Sequence, residues 1–446
     1  MSNLLETTHF RDIGNGLILR RSNTDDAEKL YHFNSFMHGE DGPDERIGQW
    51  ARDLLEKPHP TFGVNDFTIV EEKASGKIVS SMNIISQTWT YEGHPFKVGR
   101  PELVGTLAEY RNQGLIRRQF EEIHRWSAER GELVQAISGI PYYYRLFGYE
   151  MCVDLEGGRS GFEINLPKSN SIQTEEPFRL RPAVDSDIPF LMELDSIASK
   201  RSLIFTLRDE SLWHLELTGR SPQNINRLIW NIIERTSDGE MVGCLAHPAY
   251  SWGFSVPARM FELKPGVSWL DVTPSVIRWL WNMSKTICQN EGKTCSAFTF
   301  GLGASHPVYE IMRENLPRIR DPYAWYIRVA DLPDFIQHIK PVLETRLENS
   351  LIPGYSGELK LNFYRSGLCL SFEGGKLAGI ERWQPDSQHE GDLACPNLTF
   401  YQLLFGHRTL DELKKSYSDF FWNKDESRVL ASTLFPRKPS QFLGVM

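Results

Sequence analysis

Cysteine is scarce and scattered. The six residues stand at positions 152, 244, 288, 295, 369 and 395, and no second pair mirrors the Cys288/Cys295 spacing. That pattern supports neither a disulfide framework nor a zinc knuckle. No His/Cys/Asp cluster recurs at ligand spacing either, so the expectation is free thiols and no metal. His59 and His247, each followed by a proline, read as turn residues. Long apolar runs are also lacking: no window approaches the ~18–20 residues that span a bilayer, and no membrane partner is expected. The first twelve residues carry acids and no apolar block, unlike a secretory signal, and a cytoplasmic protein is expected. Positive charge is short as well. The formal net charge of −9 argues against a nucleic-acid partner, which needs a basic footprint. It is compatible with a cationic amine substrate.

What is present is an ordinary globular composition, 40% apolar and 24% charged over 446 residues. At ~100–200 residues per domain that length suggests about three domains. The most informative stretch runs from Glu102 to Glu121. It begins as a short strand, Leu103 to Thr106, passes a polar turn, Arg111-Asn112-Gln113-Gly114, and becomes a helix with Ile116, Phe120, Ile123 and Trp126 at helical spacing. Gly131 follows the last turn, where a terminating glycine is expected. A helix start of this kind offers unpaired N–H groups and the positive end of the helix dipole to a phosphate. Gly114 permits close approach of the backbone, and Arg111 adds a charge-assisted contact. A plain strand-to-helix turn without ligand is the competing reading of the same residues.

Some thirty residues on comes Ser138-Gly-Ile-Pro-Tyr142-Tyr143-Tyr144-Arg-Leu-Phe147-Gly148-Tyr149. Together the two segments resemble motifs A and B of the GNAT N-acetyltransferase superfamily. The matches are Arg111-x-x-Gly114-x-Ile116 and Tyr144-x-x-Phe147-Gly148-Tyr149, with Ile116 where a small residue is usual. The resemblance implies acetyl-CoA as co-substrate, cradled by Val104, Gly105, Thr106, Arg111, Asn112, Gln113, Gly114, Leu115, Ile116 and Arg117, and Tyr144 as the acid beside the thioester sulfur.

In chain order, Leu17 to Arg21 alternates into a strand and Asn23-Thr-Asp-Asp caps a helix. The acidic loop His38 to Glu45 leads to a second helix through Trp50. In the resembling family this region borders the acceptor; a solvated capping loop is the alternative. A hairpin follows over residues 67–84, then motif A, a strand at 132–137, motif B and a final strand at 162–167. A polar linker precedes a second strand and acid-capped helix at 178–189. Thr273 and Pro274 read as the N-cap and first residue of this unit's counterpart helix, which lacks the arginine and glycine of the phosphate turn. After residue 333 a helix (335–347) and alternating strands give an α+β unit that resembles a sterol-carrier protein. The expected fold is thus α+β, with a catalytic GNAT domain (1–168), a degenerate GNAT-type domain without cofactor site (177–333), and a sterol-carrier-like domain (334–446). That order resembles the Eis (enhanced intracellular survival) acetyltransferases. Their resemblance also implies a homo-oligomer, a hexamer, and a base formed by the terminal carboxylate, here on Met446.

Glu102 is the alternative base: strict alternation would put it on one strand face with Val104 and Thr106. The expected activity is transfer of acetyl from acetyl-CoA to a primary amine of a small cationic acceptor, an aminoglycoside, a polyamine or a lysine side chain. The rival is an acyl-CoA- or lipid-binding regulatory protein without turnover.

Overall fold

A computed structural model describes residues 11–168, 175–386 and 390–444. The first unit opens with β1 (Arg11–Gly14), β2 (Leu17–Arg21), α1 (Ala27–His38) and α2 (Glu45–Glu56). Asp44 caps α2 by accepting the Arg46 N–H at 2.9 Å. Then come β3 (Phe67–Glu72), β4 (Ile78–Tyr91), β5 (His94–Thr106), α3 (Leu115–Glu129), β6 (Val134–Ile137), β7 (Glu150–Leu155) and β8 (Gly158–Gly161). The strand expected to begin at Leu103 therefore starts nine residues earlier, because β4 and β5 form one long hairpin through the Glu92-Gly93 turn.

The second unit contains β9 (Phe178–Pro182), α4 (Ile188–Ser199), β10 (Ile204–Thr206), α5 (Glu210–His214), β11 (Leu228–Arg235), β12 (Met241–Pro248), β13 (Pro257–Ala258), β14 (Met260–Leu263), α6 (Trp269–Asn290), β15 (Phe298–Phe300), α7 (Pro307–Ile311), β16 (Arg318–Arg320) and β17 (Tyr323–Val329). The third has α8 (Leu332–His338), α9 (Lys340–Glu348), β18 (Gly357–Asn362), β19 (Gly367–Glu373), β20 (Lys376–Trp383), β21 (Leu393–Ala394), α10 (Thr399–Leu404), α11 (Leu410–Ser416), β22 (Phe421–Trp422) and α12 (Asp425–Leu434). Pro341 lacks the N–H a continuous helix would need, and the helix expected over 335–347 is two. Thr409 and Glu412 form a reciprocal cap on α11.

The sheets do not respect the expected boundaries. The main sheet runs β1-β2-β3-β4-β5-β6-β17-β7, with β10 pairing β4. Strand β17 comes from the end of the second unit yet lies antiparallel between β6 and β7, Tyr326 opposite Ile137 and Trp325 opposite Val153. In exchange β8, from the first unit, pairs β15 and β16 of the second. The final strand expected at 162–167 is instead this β8 followed by a short turn of helix at Glu163–Asn165. His247 stands buried in β12, not in a turn, with Nδ1 2.8 Å from the Pro248 carbonyl.

Two features of the main sheet open a site. At Leu103 (φ 52°) β5 carries an extra residue: Ser81 pairs Gly105 while Asn83 pairs Glu102. Such a bulge bends its strand and leaves the extra residue outside the ladder. Beside it, β5 and β6 pair only at Val98–Val134 and Gly99–Gln135. Beyond those pairs the two parallel strands part.

Candidate active site

The gap between β5 and β6 opens into a cavity of about 990 Å³, at the upper end of the ~300–1,000 Å³ typical of ligand sites. The bulge, the start of α3, the Tyr143–Phe147 turn, loops of the second unit and the chain's tail all contribute walls. Of the ten residues expected to hold the co-substrate, all but Gln113 line it.

The turn before α3 leaves the start of the helix open. Gly114 precedes α3 with φ 72° and no side chain caps the helix. The first intrahelical bond is from the Arg118 N–H to the Gly114 carbonyl, at 3.2 Å. The N–H groups of Leu115, Ile116 and Arg117 therefore have no partner within the helix. No acid occupies the first turn, so the dipole's positive end is not neutralised. Arg111 is tied back by Nε to the Thr106 carbonyl at 3.2 Å.

A buried amide that the periodicity did not flag holds α3 in place. Gln119 accepts from Ser80 Oγ at 2.6 Å and donates to the Thr68 carbonyl and hydroxyl at 3.1 and 3.0 Å. Ser80 Oγ also lies 2.7 Å from Thr106 Oγ1. The sequence signal was a polar residue next to Phe120 on the helix's inner face.

Tyr144 is 3% exposed, whereas Tyr142 is 70% exposed. Its ring meets Tyr326 of β17 edge-on at 5.4 Å. Gly139, at φ 131°, leaves room for its hydroxyl, which would stand 3.4 Å from a Cβ there. Burial first, and then the Glu102 charge, push the phenol well above its usual range. At neutral pH it keeps its proton.

Glu102 also lines the cavity, but the expectation that it shares a face with Val104 and Thr106 fails. The extra residue at the bulge shifts the alternation. Glu102 sits opposite Asn83 on the Gly105 face, and Thr106 points the other way, toward Ser80. Its partner is Arg100, fully buried and stacked 4.5 Å over the Trp325 ring. Burial raises the carboxyl, and the Arg100 guanidinium opposes that rise. His38, at the end of α1, lies against the Leu103 carbonyl, and burial pushes its ring below the usual range. The loop acids Glu40, Asp41 and Asp44 are not in the wall.

The tail runs beside Leu203 and β10. The Pro439 carbonyl accepts the Leu203 N–H at 2.9 Å, Ser440 Oγ accepts the Ile204 N–H at 3.1 Å, and the Leu443 carbonyl accepts from Arg208 at 2.5 Å. Phe442 stacks on Trp325 and meets Trp89 edge-on, at 5.8 and 4.7 Å. At Gly444 a Cβ would come within 2.5 Å of Arg100. At Gly444 the described tail thus lies beside the Arg100–Glu102 pair. Met446, the expected base, lies outside the described residues.

The chain has counterparts among known proteins. Residues 19–152 match the family model of an acetyltransferase (GNAT) domain. Nearly the whole chain also superposes on solved structures. A GCN5-related N-acetyltransferase from Kribbella flavida matches with TM-score 0.63 and 17% identity, covering 96% of this chain and 98% of that one. A GCN5-related N-acetyltransferase from Anabaena variabilis gives 0.62 and 14%, covering 96% and 100%. Eis1 from Mycobacterium abscessus gives 0.58 and 13%, covering 96% and 99%. A comparison with curated proteins finds no match. The chain carries a GNAT acetyltransferase domain, whose co-substrate is acetyl-CoA, and it is an acyltransferase. A further C-terminal unit accompanies that domain. Among the described residues no group of three or more His, Cys, Asp or Glu is placed to hold a metal, and no helix is long and apolar enough to cross a membrane.

Proposed function

We propose that the chain transfers the acetyl group of acetyl-CoA to a primary amine of a small molecule, with one active site per chain. The observation that carries this reading is the uncapped start of α3 facing the same cavity as Tyr144, Glu102 and the tail. In this reading the N–H groups of Leu115–Arg117, with Arg111 and Arg117, take the pyrophosphate. Backbone donors at the Leu103–Thr106 bulge polarise the thioester carbonyl. The amine attacks that carbon, the C–N bond forms and the C–S bond breaks. The Tyr144 phenol protonates the departing thiolate, an effect typically worth ~10²–10⁴ in rate. The amine's proton passes to the carboxylate of Met446, and Glu102 is the alternative acceptor. Gly444 beside Arg100 supports the first choice, because two further residues keep the terminus within about 7 Å of that point.

The Eis-type order, with a degenerate second GNAT unit and a sterol-carrier-like third, belongs to the same proposal, as do a hexameric assembly and a cytoplasmic location. The small cationic acceptor expected from the sequence, with which the net charge is compatible, is one class of amine within it.

Free-thiol release from acetyl-CoA across an amine panel tests the reaction. Tyr144→Phe should lower kcat by about a hundredfold with the KM for acetyl-CoA little changed. Two residues added after Met446 should do the same if its carboxylate is the base, and Glu102→Gln should then spare turnover. Full activity in the extended chain moves the base to Glu102.

A further inference from the structure

Part of the cavity wall is the tail itself, through Gln441, Phe442, Leu443 and Gly444. A segment of the second unit, residues 202–208, grips this tail in steps. Leu203 and Ile204 hold Pro439 and Ser440 through their backbone N–H groups. Ser202 Oγ donates to the Gln441 carbonyl at 3.1 Å and accepts the Gln441 N–H at 3.0 Å. Beyond Phe442 the grip passes to a side chain: Arg208 donates through Nη2 to the Leu443 carbonyl at 2.5 Å. Its Nη1 faces both carboxylate oxygens of Asp195 on α4, at 3.3 and 3.4 Å. Both side chains are buried, and the Trp213 ring lies 5.8 Å from the guanidinium. The gripping segment is fixed to the main sheet, with Phe205 opposite Thr90 and the Leu207 N–H donating to the Thr88 carbonyl at 2.9 Å. Arg208 is not in the cavity wall, so whatever it does for the site it does through the tail.

A buried ion pair is weak ground for stability, since apolar residues of similar volume often serve as well. What apolar residues could not supply is a directed donor. The planar guanidinium keeps one nitrogen on Asp195 and the other on a carbonyl, in a charge-assisted bond. That carbonyl stands three residues before Met446, and chain termini fray unless they are tied down.

We infer that Arg208, oriented by Asp195, is a positioning residue for acetyl transfer: it seats the tail so that the Met446 carboxylate stays within reach of the acceptor amine. The inference rests on the acetyl-transfer reading above and on its terminal base. A catalytic group displaced by ~1 Å can cost about a hundredfold in rate. A loosened tail therefore lowers kcat without disturbing the pyrophosphate turn.

The test replaces the pair together, Asp195→Asn with Arg208→Met, so that no buried charge is left alone. In this variant hydrogen exchange at residues 439–444 and at the Leu203 and Ile204 amides should quicken at least about tenfold. Its kcat should fall at least about tenfold, with acetyl-CoA affinity by calorimetry unchanged. Arg208→Lys keeps a charge beside Asp195 but loses the planar fork, and should move both readouts the same way by a smaller factor. A merely structural pair would not couple to the terminus. Two residues added after Met446 should cost the double variant far less than they cost the native chain, because the tail is already loose. Unchanged exchange in either folded variant, undiminished kcat despite faster exchange, or additive losses on extension each overturn the positioning role. No thiol release from the native chain with any amine overturns the transferase reading and this role with it. The exchange measurement keeps that failure distinct from a tail that Arg208 does not hold.

Discussion

Gly114 stands at the turn proposed to hold the pyrophosphate. Its φ of 72° lies in the left-handed region, and no atom stands within 4 Å of an added Cβ. A substitution there is strained by roughly 1–2 kcal/mol but meets no clash, since the Cβ would enter the cavity. Gly114→Glu should therefore fold, while its carboxylate repels the pyrophosphate. At ~4–5 Å and an effective dielectric of 20 that repulsion is about 3–4 kcal/mol, a hundredfold or more in affinity. Calorimetry with acetyl-CoA checks this, and retained affinity in a folded variant removes the co-substrate from the turn. His306 carries a different consequence. It caps α7, with Nδ1 accepting the Val308 N–H at 3.3 Å and Nε2 3.0 Å from the Phe261 carbonyl. Only the neutral ring satisfies both bonds, and burial lowers its pKa to about 3. The unfolded chain binds the extra proton between that value and ~6.5, so this contribution is full above pH 6.5 and is lost as the pH falls. Between pH 7 and 5 the loss is about 2 kcal/mol. Urea unfolding at the two pH values should show it, and His306→Asn, a cap that does not titrate, should flatten the dependence by that amount.

At the scale of elements, α3 and α6 make an instructive pair. Both follow a strand, but their starts differ in charge. Helix α6 begins at Trp269, a turn before the Thr273–Pro274 start expected, because Ser268 caps it by accepting the Asp271 N–H at 3.3 Å. Thr273 lies inside the helix and bonds the Trp269 carbonyl at 2.6 Å. The true turn, residues 264–268, does contain a glycine: Gly266, at φ 82°. The expectation that this unit lacks one is therefore corrected. The N-terminus of α6 is capped and carries Asp271 in the first turn, where an anion would be repelled. Titration calorimetry should return one acetyl-CoA per chain. A stoichiometry of two would restore a site to the second unit.

At the scale of the molecule the units are interdependent. Tyr326 on β17 is fully buried against Tyr144, so the second unit's last strand shapes the first unit's site. Residues 1–168 alone would leave β6 and β7 with unpaired edges where β17 belongs, a condition that favours aggregation. That fragment should show no cooperative thermal transition by circular dichroism, and joining residues 321–331 to it through a flexible linker should restore one. A stable, acetyl-CoA-binding 1–168 fragment would refute the interdependence.

Local order was written into the chain because it depends on neighbours in sequence. The Gly114 turn, the α3 periodicity, the Asp44 and Thr409 caps and the Tyr144-x-x-Phe147-Gly148 spacing could all be read from adjacent residues. Tertiary structure alone decided what depends on contacts between distant residues. The bulge at Leu103 turned Glu102 off the expected face by the register of β4 against β5. Strand β17 crossed a linker to fill a sheet, since backbone pairing does not respect sequence order. Glu156 of the first unit met Arg259 and Arg320 only once the second unit had packed against it. Net charge and motif spacing are sums along the chain, whereas the polarity of a cavity depends on which charges fold close enough to cancel.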